Sequence, residues 1–246
     1  KWVSTRSESF IADAHGRDNV SDAELAIDKS GKFLGLRVHN LVAMGAYTQP
    51  GTDSGAYSNI GTLAGVYLTP AVHVDVTAYY TNTNPMRPFR GNGRPEAAFV
   101  IERIVDMAAD HLKMDPAEIR RINMIPPSAM PFQTGLSFNY DCGEFEKVMD
   151  QALEMADYKN FEKRRAEARK RGKLRGIGLS YTIEKAAGPG FEGAEHHCSF
   201  VEYADATSVV HMLILASQHA KWQDFSGSSG ATYGHCLGGS NGEDAS

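Results

Sequence analysis

Three arginines and two glycines crowd into one short loop, RPFRGNGRP. Arg87, Arg90 and Arg94 carry permanent positive charge and forked N–H donors, which suit phosphate and other oxyanions. Gly91 and Gly93 lack the Cβ atom that would keep a ligand away from the backbone. An apolar, helix-like run follows at once, and the N-terminus of a helix adds exposed N–H donors. The loop therefore predicts a binding site for an anionic ligand.

The same loop has a plainer interpretation, in which its arginines are solvated side chains on a glycine-rich turn. The loop contains no Gly-Lys-Ser/Thr tripeptide, and this excludes the phosphate-binding loop of P-loop nucleoside triphosphatases. The GNG triplet is also too short for a dinucleotide-binding fingerprint. The residues of the loop leave both interpretations open.

Other residues that could take part in chemistry are better explained without a metal site or a catalytic site. His196 and His197 are adjacent, and adjacent side chains on a strand point to opposite faces, so the pair is poorly placed to bind one metal ion. The basic run at residues 163–175 is typical of a solvated helix face. Cys142 has no nearby histidine to activate it as a nucleophile. The sequence thus predicts no catalytic residue and no protein metal ligand in this chain.

Composition narrows the class of protein. The chain has 246 residues, of which 42% are hydrophobic and 22% charged, as in a globular protein with a substantial core. The net charge of -5 argues against a nucleic-acid partner. Three widely spaced cysteines predict no disulfide framework and favour the cytoplasm, with the periplasm left open. No run of eighteen apolar residues occurs, so no membrane span is predicted.

Strands and one long helix are predicted around the arginine loop. A strand-like patch at 23–27, the turn SGK and the alternating run KFLGLRVHNLVAMGAY predict a β-hairpin. Residues 46–65 form a long loop, and β-branched and aromatic residues predict a strand at 72–81. After the loop, apolar residues at helical spacing predict an amphipathic helix from Pro95 to about Lys113.

The second half of the chain is predicted to be mainly helical before it returns to strand. Asp115 and Pro116 are a fitting N-cap and first residue for a second helix. Residues 144–156 and roughly 159–172 predict two more helices, and LRGIGLSYTIE predicts a strand. Beyond about Glu195 the pattern changes, because only one of the 25 Lys and Arg residues lies there.

The loop and its helix, FRGNGRPEAAFVIERIVDMAADHLKMDPAEIRRINMI, resemble the large, molybdopterin-binding subunit of the xanthine dehydrogenase and aldehyde oxidase family, which includes carbon monoxide dehydrogenase large chains. KWVSTRSESFIADAHGRD and LGLRVHNLVAMGAY resemble the segments that precede the loop in that family. PFQTGLSFNYDCGEFEKVMDQAL and KRRAEARKRGKLRGIGLSYTIE resemble those that follow. The resemblance is collinear over about residues 1–195.

The resemblance implies an α+β fold, a mixed sheet-and-helix molybdenum-cofactor-binding domain that is incomplete and is followed by the opening strands of a second, similar domain. Residues 1–157 would be the first domain, truncated at its N-terminus. Residues 158–195 would be a linker helix and the start of the second. Residues 196–246 would be a divergent tail, explained either by a lost reading frame or by a natural end that diverges from the family. The start at Lys1 likewise predicts a fragment.

The resemblance also implies the chemistry of a molybdenum hydroxylase. In that family a molybdenum ion bound by a pyranopterin dithiolene carries a water-derived oxygen, and a nearby glutamate removes its proton. The oxygen attacks an electron-poor carbon, and electrons leave through iron–sulfur and FAD subunits. The protein supplies positioning and electrostatics rather than metal ligands.

Four loop residues match the family's site. Phe89, Arg90 and Gly91 match the loop beside the molybdenum cofactor, and Asn92 matches a position that can face substrate. Purine-oxidising relatives have an aromatic residue at the Asn92 position, so a xanthine-type pocket is not expected. True carbon monoxide dehydrogenases have a copper-binding cysteine where this chain has Gly91, which argues against carbon monoxide as substrate. An aldehyde or an N-heteroaromatic compound is the expected substrate.

Two cofactor loops and the catalytic glutamate of the family are not recognisable in this chain. Glu243 follows a glycine, but it comes too early and in the wrong surroundings to be that base. The isolated chain is therefore predicted to be inactive. The alternative is a non-catalytic anion-binding or interaction scaffold derived from the same family.

Overall fold

The computed structural model describes residues 1–49, 52, 57, 60–186, 193–203 and 210–215. Of the predicted divergent tail, only the backbone of residues 196–203 and 210–215 is described. Glu243 lies outside the described residues. The chain divides into two compact units. The first comprises 1–64, 69–112 and 135–138, and the second comprises 65–68, 113–134 and the chain from 139 onward.

The first unit is built on the predicted hairpin. Strand β1 (Asn19–Ile27) pairs antiparallel with β2 (Phe33–Ala43), with Ala23 opposite Val38. The turn between them is closed by Asp28, whose carboxylate accepts hydrogen bonds from the N–H groups of Ser30 and Lys32 at 2.8 and 2.9 Å. The Ser30 hydroxyl also donates to this carboxylate, at 2.6 Å, and it contributes most, followed by the Lys32 N–H, to stabilising the charged form and lowering the pKa of Asp28. The hairpin prediction is confirmed.

Strand β3 (Val72–Tyr79) completes a three-stranded sheet in the order β1-β2-β3, parallel to β2. Its parallel direction requires the long connection that the sequence predicted as a loop. At the end of β2, Gly45 has φ +81°, and a Cβ there would collide with the carbonyl oxygen of Asn84. Glycine is therefore needed where this connection crosses the segment that leads to the arginine loop.

In the described part of the first unit, helices α1 (Arg6–Ala12) and α2 (Arg94–Leu112) accompany this sheet. Helix α1, which the sequence did not predict, begins with a capping box between Thr5 and Glu8. Helix α2 is the predicted amphipathic helix, within a residue at each end. Its buried stripe packs against β1 and contains Ala97, Ile101, Glu102, Val105, Ala108 and Ala109. This packing fixes the start of α2, and hence the loop before it.

Among its described residues, the second unit contains three helices and five strands. Helix α3 (Pro116–Arg121) begins at the predicted N-cap, where the Asp115 carboxylate accepts from the N–H of Ala117 at 2.7 Å. The other elements are α4 (Phe145–Met155), α5 (Phe161–Lys170), β4 (Phe132–Gln133), β5 (Asn139–Tyr140), β6 (Gly176–Ala186), β7 (Gly193–Tyr203) and β8 (Val210–Leu215). Strands β6, β7 and β8 form an antiparallel sheet.

An aromatic cluster and a buried arginine organise the core of this second unit. The Phe145 ring makes edge contacts with the rings of Tyr140 and Tyr181, at centroid distances of 6.4 and 6.0 Å. Arg120 is fully buried, and its guanidinium donates at 2.9 Å to the carbonyl of Leu179 on β6. Because helices and sheets contribute to both units, the predicted α+β class is confirmed.

Candidate functional site

The arginine loop makes a tight left-handed turn immediately before α2. Gly91, Asn92 and Gly93 have φ values of +87°, +35° and +88°. The N–H of Asn92 donates to the carbonyl of Phe89 at 2.7 Å, and the N–H of Arg94 donates to the carbonyl of Gly91 at 3.0 Å. A left-handed backbone at three successive residues is costly for most residue types but is tolerated by glycine and, less readily, by asparagine. This explains the GNG triplet.

The structure shows a steric reason for glycine at position 91 that the sequence did not indicate. A Cβ on Gly91 would lie 2.7 Å from both Cδ and Cγ of Pro95 in the first turn of α2. The sequence predicts that this glycine allows a ligand to approach the backbone closely. In the folded chain, the missing Cβ makes room for the start of the helix that follows.

The backbone of the loop offers hydrogen-bond donors. Within the residues that the structure describes, the N–H groups of Gly91 and Gly93 have no acceptor. They lie at the N-terminus of α2, a helix of 19 residues whose dipole favours negative charge at that end. Unpaired N–H groups at such a position are suited to an anionic ligand.

The three arginines of the loop do not act alike. Arg90 is exposed, and its guanidinium has no partner in the described part of the chain. Arg87 is also exposed. Arg94 is half-buried and turns back on the loop, where Nη1 donates to the carbonyl of Asn92 at 3.1 Å. Arg90 is therefore the arginine best placed to meet an external anion, while Arg94 stabilises the turn.

Of the two remaining predicted residues, Phe89 precedes the left-handed residues of the turn and Asn92 is one of them. The Phe89 ring is 64% exposed. Asn92 is half-buried, and its side-chain amide has no partner among the described residues. Phe89, Arg90, Gly91 and Asn92 thus lie together in one turn, with both polar and apolar groups available to a ligand.

Arg17 is a contributor to this loop that the sequence argument did not single out. Its Nη2 donates to the carbonyl of Arg90, and its guanidinium carbon lies 4.9 Å from the centroid of the Phe89 ring. Its Nε lies 3.8 Å from Oε2 of Glu96 in the first turn of α2. The signal in the sequence was an arginine after a glycine in the segment DAHGRD, just before β1.

A groove of about 470 Å³ adjoins the loop and runs between β1 and α2. Arg17, Asn19 and Glu96 line it, together with the apolar side chains of Phe99, Val100, Ile104 and Met107. Phe89 and Arg90 are not among its lining residues. The Arg17–Glu96 ion pair is therefore shared by the groove and the loop.

The loop fits the pterin cofactor that the resemblance implies. Such a cofactor carries anionic groups, and the loop provides two unpaired backbone N–H donors and one exposed guanidinium. Charge-assisted hydrogen bonds of this kind are the stronger ones in proteins. The exposed Phe89 ring adds an apolar surface beside them.

The other candidate groups lie elsewhere or outside the described side chains. No three His, Cys, Asp or Glu side chains that are described come together as a metal site. The side chains of His196 and His197 are not among those described. Cys142 is disulfide-bonded, which the sequence did not predict, and its sulfur is therefore not a free nucleophile. None of the described helices is long and apolar enough to cross a bilayer.

Comparison with known proteins assigns a family to this arrangement. The chain is 34% identical to the nicotine 6-hydroxylase large subunit of Paenarthrobacter nicotinovorans, over 76% of this chain and 23% of that protein. It is 35% identical to the carbon monoxide dehydrogenase large chain of Afipia carboxidovorans, over 77% of this chain and 25% of that protein. The chain thus spans about a quarter of the length of these relatives.

A solved structure agrees with the sequence relatives. Quinoline 2-oxidoreductase from Pseudomonas putida 86 matches with a TM-score of 0.68 and 33% identity, over 75% of this chain and 24% of that one. Residues 1–124, which contain the loop and all of α2, match the molybdopterin cofactor-binding domain. The predicted resemblance is confirmed, and the chain belongs to the molybdopterin cofactor-binding domain family of molybdenum hydroxylase large subunits.

Proposed function

We propose that this chain is part of a molybdenum hydroxylase large subunit that oxidises an aldehyde or an N-heteroaromatic compound. Membership of the cofactor-binding family supports the general chemistry. The names of two similar proteins, nicotine 6-hydroxylase and quinoline 2-oxidoreductase, refer to N-heteroaromatic compounds and support the substrate class. The chain spans about a quarter of such proteins, so the activity belongs to the longer protein.

The observation that carries this proposal is the left-handed turn at Gly91–Gly93 with its two unpaired N–H groups. In the proposed site, the N–H groups of these glycines donate to anionic groups of the molybdenum–pterin cofactor. The Arg90 guanidinium offsets their negative charge, and Phe89 packs beside them. When bound, the cofactor supplies oxidation of the substrate with oxygen derived from water.

Asn92 is proposed to face the substrate from the same turn. Its free side-chain amide can both donate and accept, which suits a ring nitrogen or an aldehyde oxygen. Gly91 offers no thiolate for copper, so carbon monoxide is not the proposed substrate. Electrons would pass to iron–sulfur and FAD subunits, and the proposed partners are therefore such subunits and a small molecule.

The test uses the protein that contains this sequence, purified from its source organism with its associated subunits. Molybdenum is measured by mass spectrometry and pterin by fluorescence after acid release. Quinoline and benzaldehyde are then offered in ¹⁸O-labelled water under unlabelled oxygen gas. We expect about one molybdenum per chain, and ¹⁸O in the product of at least one substrate.

Two variants tie the result to the loop. Arg90→Met should lower the molybdenum content, whereas Arg169→Met, an exposed arginine on α5, should leave it unchanged. Purified protein without molybdenum or pterin would refute the proposal and favour a non-catalytic anion-binding scaffold. The 246-residue chain expressed alone should contain no measurable molybdenum, because one cofactor loop cannot replace the others.

A further inference from the structure

Arg17 contacts the proposed cofactor loop at two points and the first turn of α2 at a third. It donates to the Arg90 carbonyl, its guanidinium stacks 4.9 Å from the Phe89 ring centroid, and it pairs with Glu96 at 3.8 Å. Arg17 is 73 residues away from Arg90 in the sequence. Its side chain is 33% exposed and that of Glu96 only 15%, so solvent competes only in part for these contacts.

The backbone around Arg17 is fixed against the same loop. The N–H of His15 donates to the carbonyl of Pro85 at 3.1 Å, and the N–H of Arg87 donates back to the carbonyl of His15 at 2.9 Å. The next residue, Gly16, lies so close that a Cβ on it would be 3.1 Å from the Cβ of Phe89. These backbone contacts hold the segment that carries Arg17 against the loop. The position of Arg17 therefore does not depend on its long side chain alone.

Arg17 itself has φ +67°, in the left-handed region that residues other than glycine rarely adopt. This conformation is unfavourable for a residue with a Cβ. Strained backbone persists where surrounding contacts enforce it, and such positions cluster at functional sites. Here the strained residue is the one whose side chain reaches the loop.

The contact with the Arg90 carbonyl has a directional consequence. In a trans peptide the carbonyl and the following N–H point in opposite directions. Because Arg17 binds the carbonyl of Arg90, the N–H of Gly91 points away from Arg17. That N–H is one of the two donors without an acceptor in the described part of the chain.

We propose that Arg17 is a positioning residue, which fixes the peptide between Arg90 and Gly91 so that the Gly91 N–H is presented to the bound cofactor. This inference rests on the proposed function of the loop. The Glu96 carboxylate offsets the charge of Arg17, so the role of Arg17 is to orient the loop, whereas Arg90 supplies the positive charge.

The test compares wild type, Arg17→Met, Arg17→Lys and Arg169→Met in the full-length, cofactor-loaded complex. Loss of molybdenum from the purified protein is followed over time, and the Mo(V) electron paramagnetic resonance spectrum is recorded on the loaded fraction. Arg17→Met should lose molybdenum about tenfold faster, as expected for the loss of one charge-assisted hydrogen bond. Its spectrum should also shift, because the Gly91 donor is no longer fixed. Arg17→Lys should fall between Arg17→Met and wild type, since an ammonium group keeps the charge without the fork.

Thermal unfolding of each variant separates orientation from general loss of structure. If Arg17→Met retains molybdenum and gives the wild-type spectrum, the positioning role is overturned and the cofactor loop still stands. If wild type and Arg169→Met both lack molybdenum, the proposed function fails and this inference fails with it. Should Arg17→Met not fold, Arg17→Lys decides, because wild-type retention and spectrum in that variant would refute a need for the guanidinium.

Discussion

Replacing Gly91 by alanine tests whether the loop has the geometry on which the proposed site depends. Gly91 has φ +87°, and a Cβ on it would lie 2.7 Å from Cδ and Cγ of Pro95. Gly172, after α5, is a matched control because it has φ +70° and a Cβ added there would meet no atom within 4 Å. Both substitutions impose a left-handed alanine, and only the first adds a steric conflict.

The expected magnitudes follow from these two contributions. A left-handed alanine costs about 1–2 kcal/mol, of which the stiffer unfolded chain returns about 0.4–1 kcal/mol. Gly172→Ala should therefore lower the free energy of unfolding by about 0.5–1 kcal/mol. At Gly91 the displacement of Pro95 adds an overpacking cost of about 1–3 kcal/mol, so that the total is about 1.5–4 kcal/mol.

The assay is urea unfolding of the purified chain at pH 7, followed by far-ultraviolet circular dichroism. With a slope of about 2–3 kcal/mol per molar urea, the midpoint should fall by about 1 M for Gly91→Ala and by about 0.3 M for Gly172→Ala. Hydrogen exchange in the first turn of α2 should also be faster in Gly91→Ala alone. Equal midpoint shifts in the two variants would mean that Pro95 does not restrict this position, and the loop geometry would be refuted.

Three further predictions concern the second unit, and all use urea midpoints. Burial raises the pKa of Tyr140, so its neutral form stabilises the fold below about pH 10, the ordinary pKa of tyrosine, and this contribution is lost as the pH rises further. Tyr140→Phe should lower the free energy of unfolding by about 1 kcal/mol at pH 8, because it loses the hydrogen bond to the Gly65 carbonyl. Above about pH 10 its stability should fall less with pH than that of wild type, and an equal fall in the two proteins would contradict this. Arg120→Met should cost about 2–3 kcal/mol, because it leaves buried carbonyls without their charged donor, and an unchanged midpoint would argue against the bond to Leu179. Asp115→Ala should cost about 1 kcal/mol through loss of the α3 N-cap, and Asp115→Asn should restore most of it.

Local signals in the sequence were sufficient for the elements around the site. The Asp115-Pro116 pair predicted the start of α3, and the structure shows that cap. Helical spacing of apolar residues predicted α2, since one face of a helix must be buried for the helix to be stable. The four loop residues were adjacent in the chain, so their proximity required no knowledge of the fold. Helix α1 was missed because none of its residues is buried, which leaves no apolar stripe to recognise.

The sequence by itself determined the family, the helix that follows the arginine loop and the position of that loop, because each of these depends on neighbouring residues. Tertiary structure decided the contact of Arg17 with Arg90, across 73 residues. It also decided that Arg94 turns inward while Arg90 stays exposed, and that Gly91 makes room for Pro95. The physical reason is that hydrogen-bond partners and steric limits are set by which segments meet in space, and residue type and spacing alone do not specify that.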